Sequence, residues 1–158
     1  MEIIGATGHD AQTGKLSNSR YEASLQALAQ KIGPGSVRFC GNLTPDRIAE
    51  RLRSAAIGVV PSLWEEPFGM TVIEGMACGL PMICSRRGGI PEIITHEKDG
   101  ILIDNYLDPD EWAGQITRLL DDEGLRARLG RNARQTVLER FTVERMVKGF
   151  RAYFEKFL

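Results

Sequence analysis

The chain has 158 residues, 42% hydrophobic and 26% charged, the balance of a soluble globular protein with room for one sizeable core and too little for two ordinary domains. Its 20 lysines and arginines against 21 aspartates and glutamates leave no basic field to attract nucleic acid, so no nucleic-acid partner is expected. There is no apolar run of bilayer-crossing length and no signal peptide at the start, so a cytoplasmic setting is expected.

In chain order, "EIIG" reads as a strand, and its abrupt start suggests a domain cut just ahead of it. The next residues, Gly5-Ala6-Thr7-Gly8-His9-Asp10-Ala11, have the loose spacing of a dinucleotide-binding turn. In that motif the glycines open a helix, whereas here "QTGKLSNS" is turn-like and helical period begins only near Tyr21. Gly14-Lys15 fails as a phosphate loop as well, because Leu16 stands where a hydroxyl is needed. "RYEASLQALAQKI" then sets Tyr21, Leu25, Leu28, Ala29 and Ile32 on one helical face. "VRFCG" is the second strand, and Thr44-Pro45 signals a helix start for "PDRIAERLRSA". "AIGVV" reads as a fully buried parallel strand. Thr71 to Cys78 can form a short helix closed by Gly79. "PMICS", a Gly-Gly turn and the strand "GILID" follow, then a helix opened by Asp108, Pro109 and Glu111 in capping-box style, then two more helices. Strand-helix alternation at this spacing predicts an α/β class, a doubly wound parallel sheet in one domain over residues 1–158. Cys40, Cys78 and Cys84 sit in apolar runs, as reduced core thiols do. His9 and His96 lie far apart, leaving no recognisable metal site and no expected cofactor.

In such a sheet ligands bind where strands end and helices begin. The loop after "AIGVV" carries the sharpest candidate. Free amides around Gly69, Met70 and Thr71 form an anion site at a helix start. Glu66 lies just before those amides and Glu74 about one turn beyond them. Two carboxylates aimed at phosphate would repel it, whereas carboxylates accept paired hydrogen bonds from vicinal diols. A nucleotide sugar has that layout of hexose, diphosphate and ribose. The bland alternative is that Glu65 and Glu66 complement a helix terminus while Glu74 is solvated.

The block "PSLWEEPFGMTVIEGMACGLPMICSRRGGIPEII", Pro61 to Ile94, closely resembles the donor-binding, C-terminal domain of retaining GT-B-fold glycosyltransferases of the family 4-like group, glycosyl transferases group 1. That group includes sucrose and glycogen synthases and bacterial mannosyl- and glucosyltransferases. "GATGHD", "VRFCGNL", "GILID" and "ARQTVLERFT" extend the resemblance over essentially the whole chain. Gly75 replaces the alanine usual in the pattern, at about 1 kcal/mol of helix propensity.

The resemblance implies a Rossmann-like half of a GT-B fold, polysaccharide-type chemistry, and transfer of a hexose from a UDP- or GDP-sugar to a glycan or lipid-linked acceptor, with retention and without a metal. It implies Glu66 as the catalytic, hexose-binding acid and Glu74 on the ribose. Phe68, Gly69, Met70 and Thr71 would hold sugar and phosphate, with Val72, Asn42 and Leu43 lining ribose and base. Gly88, Gly89 and Glu92 would shape the neighbouring loop or form a merely structural turn. The first strand-helix unit, with its phosphate-contacting cations, and the acceptor domain would be absent, leaving the isolated chain inactive. A non-catalytic nucleotide-sugar binding or regulatory module is the alternative. "RARLGRNAR" reads as a solvated helix face or, in a longer parent, a peripheral membrane contact. In the last helix, Val143, Met146, Val147, Phe150, Tyr153, Phe154 and Phe157 form one apolar stripe. It is expected to fold back on its own sheet or to pair in a homodimer.

Overall fold

Apolar runs of strand length alternate with amphipathic stretches, and the computed structural model, which describes residues 1–5 and 20–157, turns them into parallel strands and helices. Two compact units result, Met1–Ile48 and Ala49–Leu158.

In the first unit β1 (Glu2–Ile3) pairs in parallel with β2 (Arg38–Phe39), and α1 (Arg20–Ile32) lies between them in sequence. Gly5 takes φ +120°, open only to glycine, and its amide bonds the Gly41 carbonyl at 3.0 Å. The rest of the glycine-rich turn, with His9 and Gly14-Lys15, lies outside the described residues. On α1 the expected face is only partly inside: Leu25 and Ala29 are half-buried, while Leu28 and Ile32 are exposed. Two strands of two residues each offer too little surface to cover a full helical stripe. Asn42 (exposed) and Leu43 (half-buried) form the turn before α2 (Pro45–Ser54), where the Ile48 amide bonds the Thr44 carbonyl at 2.9 Å.

The second unit holds β3 (Gly58–Val60), β4 (Met82–Ser85) and β5 (Ile101–Ile103), all parallel, in the order β3-β4-β5. Strand alternation splits its core in two. Met82, Cys84 and Leu102 point to one side, against α3 (Met70–Ala77), α4 (Ile90–Ile93) and Ala133 and Val137 of α6 (Glu123–Arg140). Ile83, Ile101 and Ile103 point to the other, against Leu119 of α5 (Pro109–Asp121) and Leu125 and Leu129 of α6. Both faces are thus covered, as a doubly wound sheet requires. Full burial holds for β4 at the centre and β5 at one edge but not for β3 at the other edge, whose Val59 is exposed. The expected Gly-Gly turn continues into α4, started by Pro91.

Gly75 is a packing device. A Cβ there would sit 2.4 Å from Met82 Sδ, and one at Gly58 equally 2.4 Å from the same sulfur, so the buried Met82 thioether threads between two glycines and occupies the room an alanine would need. Burial pushes the Cys84 thiol far up, as suits an inert core cysteine; Cys40 and Cys78 are half-buried free thiols.

Asp108 caps α5 by accepting from the Asp110 amide at 2.9 Å, but Glu111 reaches the Asn105 amide rather than closing the box on Asp108. The α6 arginines do not form a plain solvated face. Arg126 donates to the Leu119 and Leu120 carbonyls at the end of α5, Arg128 to the Glu97 carbonyl and Arg134 to the Ala77 carbonyl at the end of α3. Each satisfies backbone acceptors that a helix or turn end leaves open.

Thr142 caps α7 (Val143–Phe154), accepting from the Arg145 amide at 3.3 Å. The helix has no buried residue: the stripe from Val143 to Phe157 is exposed, its rings stacked on one another. Folding back on the sheet is therefore not how this stripe is covered. Removing residues 143–158 is expected to leave the midpoint of urea unfolding unchanged to within about 0.3 M, since no buried apolar area is lost; a larger drop would mean that α7 supports the core.

Candidate functional site

The carboxyl ends of β3, β4 and β5 carry three loops, residues 61–69, 86–89 and 104–108. The first leads into α3, whose N-terminal Gly69 takes the left-handed conformation, φ +102°. A side chain there would be strained, and its Cβ would stand 3.2 Å from Ile93 Cδ1. This turn closes the helix early: the amides of Val72 and Ile73 both bond the Gly69 carbonyl. The amides of Gly69, Met70 and Thr71 make no backbone hydrogen bond among the described residues. Three donors thus stand together at the positive end of a helix.

Glu66 sits in the approach to that end, half-buried. Its Oε2 accepts from the Trp64 indole at 2.9 Å and, more loosely, from the buried Ser62 hydroxyl at 3.4 Å. Its main chain rests on the second loop, where the Gly89 amide donates to the Glu66 carbonyl at 2.7 Å. A Cβ on Gly88 would fall 2.2 Å from that carbonyl oxygen and 2.4 Å from the Glu66 nitrogen. Gly88 is also left-handed, φ +53°. The Gly-Gly pair is thus the surface on which the Glu66 backbone lies, and Glu92 on α4 is exposed.

Phe68 is half-exposed and meets Phe141 edge to face with ring centroids 6.2 Å apart, which ties this loop to the end of α6. Met70 and Thr71 are exposed on the first turn. Glu74 is exposed four residues after Met70, on the same side of α3, and helical side chains lean toward the N-terminus. Val72 differs from the expectation that it lines a ligand: its side chain is fully buried against the sheet and its amide is used inside the turn, so its part is packing. Residues 66–74 form one continuous locus; Asn42 and Leu43 belong to the other compact unit. Among the described residues no group of three His, Cys, Asp or Glu could hold a metal, and no helix is long and apolar enough to cross a membrane.

Residues of the site that sequence reasoning did not single out are Trp64, Ser62, Arg87 and Tyr106, and Glu65 entered only as a charge at a helix terminus. Glu65 accepts from the Gly88 amide at 2.8 Å and pairs with Arg87, which also reaches the Tyr106 hydroxyl. The only signal was the doubling of both types, "EE" and "RR"; nothing local links positions 22 residues apart.

The family profile described as "Glycosyl transferases group 1" matches residues 1–136. The D-inositol 3-phosphate glycosyltransferase of Acidothermus cellulolyticus is 41% identical over 118 residues, 74% of this chain and 26% of that protein. Sucrose-phosphate synthase from Thermosynechococcus elongatus is 31% identical with a TM-score of 0.80, covering 98% of this chain and 38% of its own. Anabaena Alr3699/HepE, solved in complex with UDP and glucose, shares the fold at 24% identity, with a TM-score of 0.82 over 98% of this chain and 39% of its own. The chain spans about a quarter to a third of the length of the curated relatives it matches. A two-faced parallel sheet whose loop after β3 presents open helix amides between two acids, with a family match over most of the chain, has one family reading: the chain belongs to the glycosyl transferases group 1, as a C-terminal, Rossmann-like domain of the GT-B fold.

Proposed function

We propose that residues 1–158 are the nucleotide-sugar-binding domain of a retaining hexosyltransferase, with Glu66 at the hexose and Glu74 at the ribose diol. The observation that carries this is the placement of one carboxylate before, and one about a turn after, the three open amides of Gly69, Met70 and Thr71. A diphosphate fits the amides, and neutral diols fit the acids on either side. Departure of the nucleoside diphosphate puts negative charge where those amides point. A single preorganised donor at such a position supplies roughly 3 kcal/mol. Retention, absence of a catalytic metal, and a glycan or lipid-linked acceptor supplied by a second domain belong to the same reading. Phe68 would flank the sugar.

Binding rather than turnover is the property to measure on a chain this short relative to its relatives. In calorimetric titration with UDP, GDP and ADP, one uridine or guanosine diphosphate is expected to bind at least about tenfold more tightly than ADP. Glu74→Ala is expected to weaken that nucleotide about tenfold, the size of one charge-assisted hydrogen bond. Absence of binding by all three, or an indifferent Glu74→Ala, would overturn the reading.

A further inference from the structure

Glu65 and Glu66 are neighbours with opposite fates. Glu66 keeps one carboxylate oxygen, Oε1, without a partner among the described residues, while both oxygens of Glu65 are engaged, one by the Gly88 amide and one by the Arg87 guanidinium. Arg87 in turn is held on three sides. One terminal nitrogen donates to Glu65, the other to the Tyr106 hydroxyl, and the guanidinium carbon lies 4.7 Å from the centroid of the Tyr106 ring. Its Nε is buried with no hydrogen-bond partner among the described residues. A solvated arginine would give that N–H to water; this one is fixed by its fork and by the ring at the expense of one donor. Tyr106 is anchored as well, because it packs on the core beneath α5 and its carbonyl accepts from the Trp112 indole at 3.0 Å.

We infer that Arg87, braced by Tyr106, is a positioning residue for Glu66: through Glu65 it fixes the loop after β3 against the loops after β4 and β5, and so sets where the Glu66 carboxylate stands. The inference rests on Glu66 being the hexose-binding acid. Three observations make this more than a surface ion pair. The pair joins loops at the edge where such sheets bind ligands. It flanks the Gly88–Gly89 surface on which the Glu66 main chain lies, with the Gly89 amide 2.7 Å from the Glu66 carbonyl. The arginine is three-quarters buried, 23% exposed, against 69% for Glu65, so the pair is anchored from the arginine side and Glu65 is the end it holds in place. Neutralised by Glu65 and stacked on a ring, Arg87 does not serve as a phosphate-binding cation. Its work is geometric, and small displacements of a reacting carboxylate are costly.

The test uses the whole chain and the variants Arg87→Met, Arg87→Lys and Tyr106→Phe. In the ligand-free chain, hydrogen exchange at the Gly89 amide is expected to quicken about tenfold in Arg87→Met, less in Tyr106→Phe, and to return toward the parent rate in Arg87→Lys. The β4 amides keep their protection throughout. By calorimetry, Arg87→Met is expected to reduce the preference for UDP-glucose over UDP at least about fivefold while UDP affinity stays within twofold; Arg87→Lys restores part of it. A Gly89 rate that ignores Arg87→Met overturns the brace. A preserved UDP-glucose preference, or equal losses for UDP-glucose and UDP, overturns its positioning role. A parent chain that binds GDP instead of UDP takes GDP-glucose against GDP in the same comparison; if it binds neither UDP nor GDP, the donor-binding reading fails, and the positioning role with it, while the exchange rates still decide whether the brace exists.

Discussion

When this domain is assayed together with an acceptor domain, Glu66→Ala is expected to lower kcat about 100-fold or more while moving the donor KM less than about threefold. Glu74→Ala is expected to do the reverse, raising the donor KM about tenfold with kcat nearly kept. The asymmetry follows from position. Glu66 approaches the helix start from the loop, on the side where the hexose would lie, held by the Trp64 indole and by its carbonyl on Gly89. Contacts to a sugar that flattens and gains charge during transfer tighten at the transition state, and only such contacts raise kcat. Glu74 stands on α3 beyond the amides, exposed, where a ribose that does not change during the reaction would be bound equally before and after. Steady-state kinetics with donor varied at saturating acceptor separates the two. Small, equal effects would return both acids to ordinary solvated positions, and the opposite split would exchange their roles.

How legible this was depended on distance along the chain. Residues 66–74 were readable because loop, helix start and both acids are contiguous, and the helix start at Met70 follows from the glycine that precedes it. The position of Val72 was also available in principle: Val72, Ile73 and Met76 share the buried side of α3 while Glu74 does not. Counting helical period inside the motif would have assigned it to the core. By contrast, the arginines of α6 read as a solvated face because their partners are carbonyls at the ends of other helices, groups that every residue has and no sequence pattern advertises. Gly75 read as a small loss of helix propensity because its real reason, the Met82 side chain crossing from β4, lies in another element. The exposed Val59 failed for the same kind of reason: β3 and β5 are both edge strands, yet α5 and α6 cover β5 and leave Val59 open, and which strand a helix covers is not written in the strand's own letters.

The second large effect concerns a residue with no part in the chemistry. Asp99 is 1% exposed, in the turn between α4 and β5. Its Oδ1 accepts from the Thr95 amide at 2.7 Å and its Oδ2 from the buried Thr136 hydroxyl of α6 at 2.8 Å. The turn needs such a tie because it holds Glu97 in the left-handed region, φ +63°, which a non-glycine residue adopts at a cost of about 1–2 kcal/mol. Other bonds fasten the same turn to helices: Asn132 donates to the Lys98 carbonyl at 2.7 Å, and Arg118 bonds Glu97, whose carboxyl it holds below the usual range. That ion pair is present above the ordinary glutamate range and is lost as pH falls through the lowered value, and being exposed it contributes little. Asp99 is different, because it is itself buried and so is the Thr136 hydroxyl it accepts from. Asp99→Ala would leave an amide and a hydroxyl without acceptors and the strained turn without its tie, an expected loss of about 3 kcal/mol. For a chain of this size that is a fall in Tm of roughly 10 °C. Asp99→Asn should cost about a third as much, since its carbonyl oxygen can still take the Thr95 amide and the Thr136 hydroxyl can rotate to accept from its NH2. Thr136→Val added to Asp99→Ala should cost less than the sum of the two alone, because they break one shared bond. Thermal unfolding of the parent and the four variants, followed by circular dichroism, checks all three statements. An Asp99→Ala chain melting within about 2 °C of the parent would show that the turn is held by the surface ties instead.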